Sequence, residues 1–352
     1  MHSSLNQIAE AIRAAAASNL ALRIQGGGSK AFYGVPVEGA PLSVTGYRGI
    51  VEYEPSELVL TVRAGTPLTE VEAALAEQGQ CLAFEPPHFG ASATIGGCVA
   101  TGLSGPRRAY AGSVRDFVLG VRVLDGTGED LRFGGKVIKN VAGYDVSRLM
   151  VGALGTLGVI TEVSFKVLPR PVTDLTLRLA MGPVQAIETM NRWAGQPLPL
   201  SATCYFDGSL WVRLAGAEPA VRVASARLGG EIYAAGPAFW SSIREQTHPA
   251  FAGDVPLWRL SLRPTTPALG LPGNQLIEWG GALRWLRAPE RDAEAIRALA
   301  QKAGGHAILF RGGSKSAAVF HPLAPALEKI HTRLKQVFDP MRILNPGRMG
   351  RF

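Results

Sequence analysis

The sequence predicts an α+β protein of two unequal domains with a returning C-terminal tail. Three observations support this. The 352 residues exceed what one ordinary core uses, at roughly 100–200 residues per domain. Strand-like and helix-like segments alternate along most of the chain. Pro169-Arg170-Pro171 interrupts that alternation, because proline on both sides of Arg170 favours an extended connector.

Taken in order, Ser4 and Gln7 have the spacing of a capping box, and Leu5, Ile8 and Ile12 recur on one face until Ser18-Asn19, so the chain opens with a helix. LALRIQ (20–25) is a short β-like run that stops at Gly26-Gly27-Gly28-Ser29, and further strands are expected at 42–45, 50–53 and 58–63. Thr66-Pro67 starts a helix over 68–78 that Gly79 ends. Residues 90–112 are dominated by Gly, Ala, Ser and Thr, which predicts neither a long helix nor a self-supporting strand but a long loop with something to wrap. Residues 118–135 read as two strands around Asp125-Gly126, and 157–169 as another strand rich in β-branched residues.

Beyond Pro171 come LTLRLA, a helix near 183–194, a hairpin at Asp207-Gly208, a helix near 217–228, LWRLSLR, GALRWLRA, a helix over about 290–303, and HAILF. This pattern predicts an α+β domain with a mostly antiparallel sheet. Residues 323–337 read as helix. FDPMRILNPGRM is too short and proline-broken to stand alone, so it is expected to pack back on the rest.

Composition removes several function classes. The net charge of +8 is scattered, with Arg107-Arg108 the one notable basic doublet and no aromatic-interleaved basic stripe, so nucleic acid is not an expected partner. Cys81, Cys98 and Cys204 are few, odd in number and without a CxxC, which argues for reduced thiols and against an iron–sulfur cluster bound by this chain alone. The amino terminus lacks a signal-peptide pattern, and no run approaches the ~20 apolar residues of a membrane span. The expectation is a cytoplasmic protein, or one held peripherally at the inner face of the cell membrane through a partner.

Three glycine-rich segments carry the chemical signal. Gly26-Gly27-Gly28-Ser29 follows a strand, where a loop without Cβ atoms lets backbone N–H groups approach a pyrophosphate. An ordinary turn is the other reading. Ala93-Thr94-Ile95-Gly96-Gly97 leads through Ala100-Thr101-Gly102 to Gly112-Ser113-Val114-Arg115-Asp116, small residues suited to lining a flat ligand, with Arg115 and Asp116 placed to fix the loop by pairing. The third runs from Lys136 to Ile160, with glycines at 152, 155 and 158 before a strand, where close backbone approach is a sufficient explanation. A GxGxxG between strand and helix, a GxxxxGK[ST] and an HExxH are all missing, which argues against a Rossmann NAD site, a nucleotide triphosphatase and a spacing-defined metal site.

The segments QGGGSKAF, ATIGGCVATGLSGPRR, GSVRDFVLG, KVIKNVAGYDVSRLMVGALGTLGVI and LNPGRM resemble the PCMH-type FAD-binding domain of the vanillyl-alcohol oxidase superfamily. Over essentially the whole chain the sequence resembles the E-subunit family of bacterial glycolate oxidases. That resemblance implies a PCMH-type FAD-binding domain of two α/β subdomains over 1–169, a smaller α+β cap over 172–322, and a C-terminal helix and tail over 323–352. It implies noncovalent FAD, because Lys30 stands where covalent relatives place a histidine. The implied cofactor wall comprises Gln25, Gly26, Gly27, Gly28, Ser29, Lys30, Thr66, Pro67, Thr94, Ile95, Gly96, Gly97, Gly112, Ser113, Arg115, Asp116, Val159 and Ile160. The implied partners are a second FAD-binding catalytic subunit, an iron–sulfur subunit and a small 2-hydroxy-acid substrate.

The function expected from this resemblance is oxidation of glycolate to glyoxylate by hydride transfer to flavin, with electrons passed towards a quinone. Two other readings stay open: a non-catalytic FAD-binding electron-transfer or assembly subunit, and a self-sufficient flavin dehydrogenase of another 2-hydroxy acid. The late run HAILFRGGSKSAAVF departs from the Gly-Asp-Gly and histidine-rich run of catalytic relatives. Arg284 and Arg311 are candidates to hold a substrate carboxylate, and Tyr144, Lys139 and His88 nominal candidates to take the hydroxyl proton. Each also reads as a structural residue. No metal ligands are expected.

Overall fold

The computed structural model describes residues 4–135, 144–271, 273, 275–315 and 319–350. Helix α1 (Leu5–Ala17) is capped as its sequence dictates: Ser4 Oγ accepts from the Gln7 N–H, and Gln7 Oε1 accepts from the Ser4 N–H. Its buried face of Ile8, Ile12 and Ala15 packs on a parallel pair, β1 (Leu22–Gln25) and β2 (Ala40–Ser43).

Beside this small lobe lies a five-stranded antiparallel sheet whose members come from both sides of the glycine-rich segments. Strands β3 (Ile50–Glu54) and β4 (Val59–Arg63) precede helix α2 (Leu68–Glu77). The short β5 (Gln80–Cys81) then pairs with β9 (Leu168–Pro169) just before the connector. Strands β6 (Val118–Leu124), β7 (Asp130–Gly134) and β8 (Val159–Lys166) complete the order β3-β4-β8-β6-β7. The apolar core beneath it gathers Leu60, Val62, Val71, Phe84, Ile95, Val163 and Phe165.

Residues 90–112, expected as loop, contain helices α3 (Ile95–Thr101) and α4 (Arg108–Ala111), and α5 (Val114–Phe117) follows directly. Thr94 Oγ1 accepts from the Gly97 N–H and starts α3. Small residues then let α3 lie flush on the sheet, since a Cβ on Gly96 would sit 2.8 Å from the Ala64 Cβ. Tertiary packing supplies what local propensity lacks. A further turn of helix, α6 (Val146–Leu149), precedes β8.

The second domain is built on an eight-stranded antiparallel sheet. In chain order its strands are β10 (Thr173–Ala180), β11 (Leu200–Phe206), β12 (Ser209–Gly216), β13 (Glu231–Ile232), β14 (Leu257–Ser261), β15 (Leu276–Glu278), β16 (Leu283–Arg287) and β17 (His306–Arg311). In space they run β13-β10-β12-β11-β15-β16-β14-β17. Helices α7 (Pro183–Ala194), α8 (Glu218–Leu228), α9 (Gly236–Arg244) and α10 (Ala293–Lys302) cover it. The hairpin at Asp207-Gly208 and the helices near 183–194 and 217–228 lie where the sequence patterns place them.

The two domains share an apolar core. Tyr33, Leu103 and Leu154 of the first pack with Trp279, Trp285 and Phe310 of the second. Polar clamps flank it: Arg213 Nη2 reaches Glu85 Oε2 at 2.8 Å, Glu245 Oε2 accepts from the Phe89 N–H at 2.8 Å, and Trp279 Nε1 donates to the Gly105 carbonyl.

Helix α11 (Pro325–Phe338) returns to the first domain, where Phe338 enters the core beneath the five-stranded sheet. The tail then runs beside β1: Leu22 N–H donates to the Ile343 carbonyl, the Asn345 N–H to the Leu22 carbonyl, and Leu22 and Leu344 form a parallel bridge. A buried ion pair anchors it. Lys335 Nζ lies 2.6 Å from Asp339 Oδ2 and also donates to the carbonyls of Thr156 and Leu344, while Asp339 accepts from the Ile343 and Leu344 amides.

Candidate functional site

The glycine loop after β1 sets the floor of an open cleft. Gly28 sits at φ +74°, a backbone conformation that side chains other than glycine disfavour, so the loop reverses tightly. Gly27 is pressed against the 90–94 turn: a Cβ there would lie 1.4 Å from the Ser92 carbonyl oxygen, and Ser92 Oγ donates to the Gly27 carbonyl at 2.6 Å. The two loops are thereby zipped backbone to backbone.

The cleft holds about 1010 Å³ of empty space open to solvent on one side. Gln25, Gly26, Gly27, Gly28, Ser29 and Lys30 line it from the first loop, Thr94, Gly96 and Gly97 from the start of α3, and Ile160 from β8. Arg23, Lys30 and Arg348 bring positive charge, and Ile24, Val44, Leu154 and Ile160 supply apolar wall. Lys30 is buried, and its Nζ donates to the His88 carbonyl at 3.1 Å. Burial lowers its pKa, against the pull of Cys98 and Glu245.

Other residues of the expected cofactor wall stand behind the surface. Thr66 is fully buried, its Oγ1 accepting from the Gly49 N–H and donating to the Arg63 carbonyl, while Pro67 bridges to Thr94. Ile95 and Val159 are core residues beneath the cleft. Gly112, Ser113, Arg115 and Asp116 lie outside its lining. The expected Arg115–Asp116 pair does not form: Asp116 instead accepts from the Ser113 N–H and hydroxyl, closing the cap of α5, because that carboxylate is three residues from the cap. Those contacts, with Arg108 and Arg148, hold the Asp116 carboxyl below its usual range although burial opposes them.

The carboxylate and proton-transfer candidates also need correcting. Arg284 is fully buried and spends its guanidinium on the carbonyls of Thr266, Pro267 and Gly281, leaving no fork for a substrate. Arg311 stacks on Phe32 at 4.4 Å and near Phe89 at 5.3 Å, and does not line this cleft. Tyr144 is 95 % exposed and away from the cleft. His88 Nε2 lies 3.1 Å from Glu72 Oε2 and likewise does not line it. Lys139 lies outside the described residues.

Sequence reasoning missed Asn345 and Arg348. Asn345, at φ +40°, accepts from the Ile24 N–H and donates to the Leu154 carbonyl; Arg348 Nη2 donates to the Tyr33 carbonyl at 2.8 Å. Asn-Pro-Gly is a turn signal, yet nothing local shows that the turn closes a cleft begun more than 300 residues earlier. Among the described residues no helix is long and apolar enough to cross a membrane, and no His, Cys, Asp and Glu residues cluster as a metal site.

Across the domain interface, burial raises the Glu278 carboxyl from 4.5 to about 7; the hydrogen bond from Trp285 Nε1 at 2.7 Å and the Arg259 charge oppose the rise, and Glu85 adds to it. A carboxyl raised on folding stabilises fully below its unfolded pKa, and that contribution is lost as pH rises through the folded one. Between pH about 5 and about 8, wild type should therefore lose on the order of 3 kcal/mol relative to Glu278→Gln. Urea unfolding at both pH values checks this; equal pH dependence in the two proteins would refute it.

Comparison with known proteins agrees with this geometry. The FAD binding domain family matches residues 2–134, the stretch that supplies both zipped loops. The chain is 52 % identical over 340 residues to glycolate oxidase subunit GlcE of Escherichia coli (strain K12), covering 97 % of this chain and 95 % of that one. It is 38 % identical over 128 residues to glycolate oxidase subunit GlcD of Bacillus subtilis (strain 168), covering 36 % of this chain and 27 % of that one. An alkyldihydroxyacetonephosphate synthase structure superposes on 98 % of this chain and 76 % of its own, with a TM-score of 0.68 at 16 % identity, which shows a shared fold. With the PCMH-type FAD-binding fold and a near-full-length match together, this chain belongs to the GlcE family of glycolate oxidase subunits, with FAD as its cofactor.

Proposed function

We propose that this chain is the FAD-holding subunit of a complex that oxidises glycolate to glyoxylate and passes electrons towards a quinone, beside a second flavin-binding catalytic subunit and an iron–sulfur subunit. The observation that carries the reading is the glycine-lined cleft within a chain that matches GlcE over nearly its whole length. Its residues fit FAD. The Cβ-free loop at Gly26, Gly27 and Gly28 lets backbone amides approach a pyrophosphate, Gly96 and Gly97 keep the facing wall low, and Arg23, Lys30 and Arg348 balance two negative charges. Ile24, Val44, Leu154 and Ile160 offer apolar wall to flat rings. Bound there, FAD supplies the electron acceptor for hydroxy-acid oxidation. Lys30 sits where a covalent attachment would need a different side chain, and its amine is held by the His88 carbonyl, so the cofactor is held noncovalently.

A second reading, FAD binding without turnover by this chain, draws on the fate of the candidates: Arg284 is consumed by carbonyls and Tyr144 faces solvent. One experiment separates the two. The absorption spectrum of the purified chain should show flavin released by denaturation, and anaerobic glycolate should bleach it. Bleaching only with the neighbouring subunits present supports the complex, and its absence even then leaves the non-catalytic reading. A colourless chain overturns both.

A further inference from the structure

A second hollow lies between the domains, separate from the glycine cleft and joined to it through one segment: Ala100 and Thr101 line the cleft, and Leu103, Ser104, Gly105 and Pro106 line the hollow. It holds about 330 Å³ of empty space, part of it open, and so admits only a small molecule. Its far wall comes from the second domain, with Gln246, Arg259, Glu278, Trp279 and Trp285.

Trp279, Trp285 and Glu278 have hydrogen-bond partners here, and two other polar groups do not. Among the described residues the Arg259 guanidinium makes no hydrogen bond and no ion pair within 4 Å; it lies 5.3 Å from the Trp279 ring and feels the Glu278 carboxyl and the Tyr33 hydroxyl only through longer-range attraction. Arg108 lies over the same indole at 4.4 Å, and burial together with the Arg259 charge lowers its pKa. Gln246 is 8 % exposed and held at φ +55°, and among the described residues its Oε1 has no hydrogen-bond partner. Buried donors and acceptors left unpaired are destabilising, a charged one most of all, so such a set is stable when something else satisfies it. A guanidinium that makes no hydrogen bond among the described residues calls for an anionic acceptor, and the unmet amide oxygen calls for a donor beside it.

We propose that this hollow binds a small carboxylate that carries a neighbouring hydroxyl, the carboxylate on Arg259 and the hydroxyl donating to Gln246 Oε1. The assignment deepens the glycolate reading above and rests on it for the identity of the natural ligand; its carboxylate arginine is Arg259 rather than Arg284 or Arg311. Trp279 and Trp285 in the wall make binding visible without turnover.

The test is titration of the purified, flavin-loaded chain with glycolate and with acetate, followed by tryptophan fluorescence. Glycolate should bind saturably and acetate more weakly, since acetate lacks the hydroxyl. Arg259→Met should weaken glycolate by roughly tenfold or more, as loss of a charge-assisted contact does. Gln246→Leu, which removes an unsatisfied buried acceptor and keeps the charge, should erase the preference for glycolate over acetate. No saturable response in wild type, or an unchanged preference in Gln246→Leu, overturns the proposal even where Arg259→Met fails to fold. Glycolate bleaching in the assembled complex that is undiminished by Arg259→Met overturns the hollow and leaves the proposed function standing. Saturable, Arg259-dependent binding with no bleaching in that complex supports the hollow and removes the function.

Discussion

Gly27→Ala should purify with little or no flavin. The added methyl group would fall 1.4 Å from the Ser92 carbonyl oxygen and 2.4 Å from its carbon, both backbone atoms that no rotamer change can move. The two loops must part, and the amides of Gly26 to Ser29 lose their place against the start of α3. Losing two charge-assisted hydrogen bonds at about 1.5–3 kcal/mol each weakens a pyrophosphate ligand by roughly 10²–10⁴-fold. The five-stranded sheet does not pass through the contact, so circular dichroism should stay close to wild type. The flavin-to-protein absorbance ratio checks this, and a normal ratio in a folded variant would show that the zipped loops are not the cofactor floor.

Asp339→Ala should cost about 3–5 kcal/mol of folding stability, because it leaves the buried Lys335 ammonium without its counter-charge. Asp339 is fully buried, and it also holds the Ile343 and Leu344 amides, which would lose their acceptor. Burial already lowers the Lys335 pKa despite its partner, so removing the partner pushes it further. Replacing both residues by apolar ones of similar size should recover much of the loss, since the pair is costly to break and less costly to remove whole. Urea denaturation of the single and double variants measures both. A single-variant loss below about 1 kcal/mol, the range of a surface pair, would falsify the anchoring role.

What could be read from the sequence follows from how local each cause is. The cap of α1 needs only Ser4 and Gln7, and β4 only a run of Val, Leu and Thr. The glycine loop was legible because its backbone geometry is written in its own residues. Helices α3 and α4 were not, since α3 draws its order from β4 and β8 beneath it and α4 from β11 of the second domain. Arg284 in GALRWLR reads as a carboxylate holder or as a structural arginine, and only the fold brings the carbonyls of Thr266 and Pro267 to it. Arg259 and Glu278 belong to different strands, with β16 running between them, so no spacing rule connects them.

The way the tail completes the small lobe has a consequence in time. Ile24 must wait for Asn345, 321 residues later, before its amide finds an acceptor, and Arg348 is made later still. At roughly 5–20 residues per second, the interval on the ribosome is about 15–60 s. During that interval β1 offers an unpaired edge, open to wrong partners, while the entire second domain is synthesised and folds. Loading of the cleft is therefore expected to wait for synthesis of Asn345 and Arg348, and the newly made protein should depend on chaperones more than its size alone would suggest.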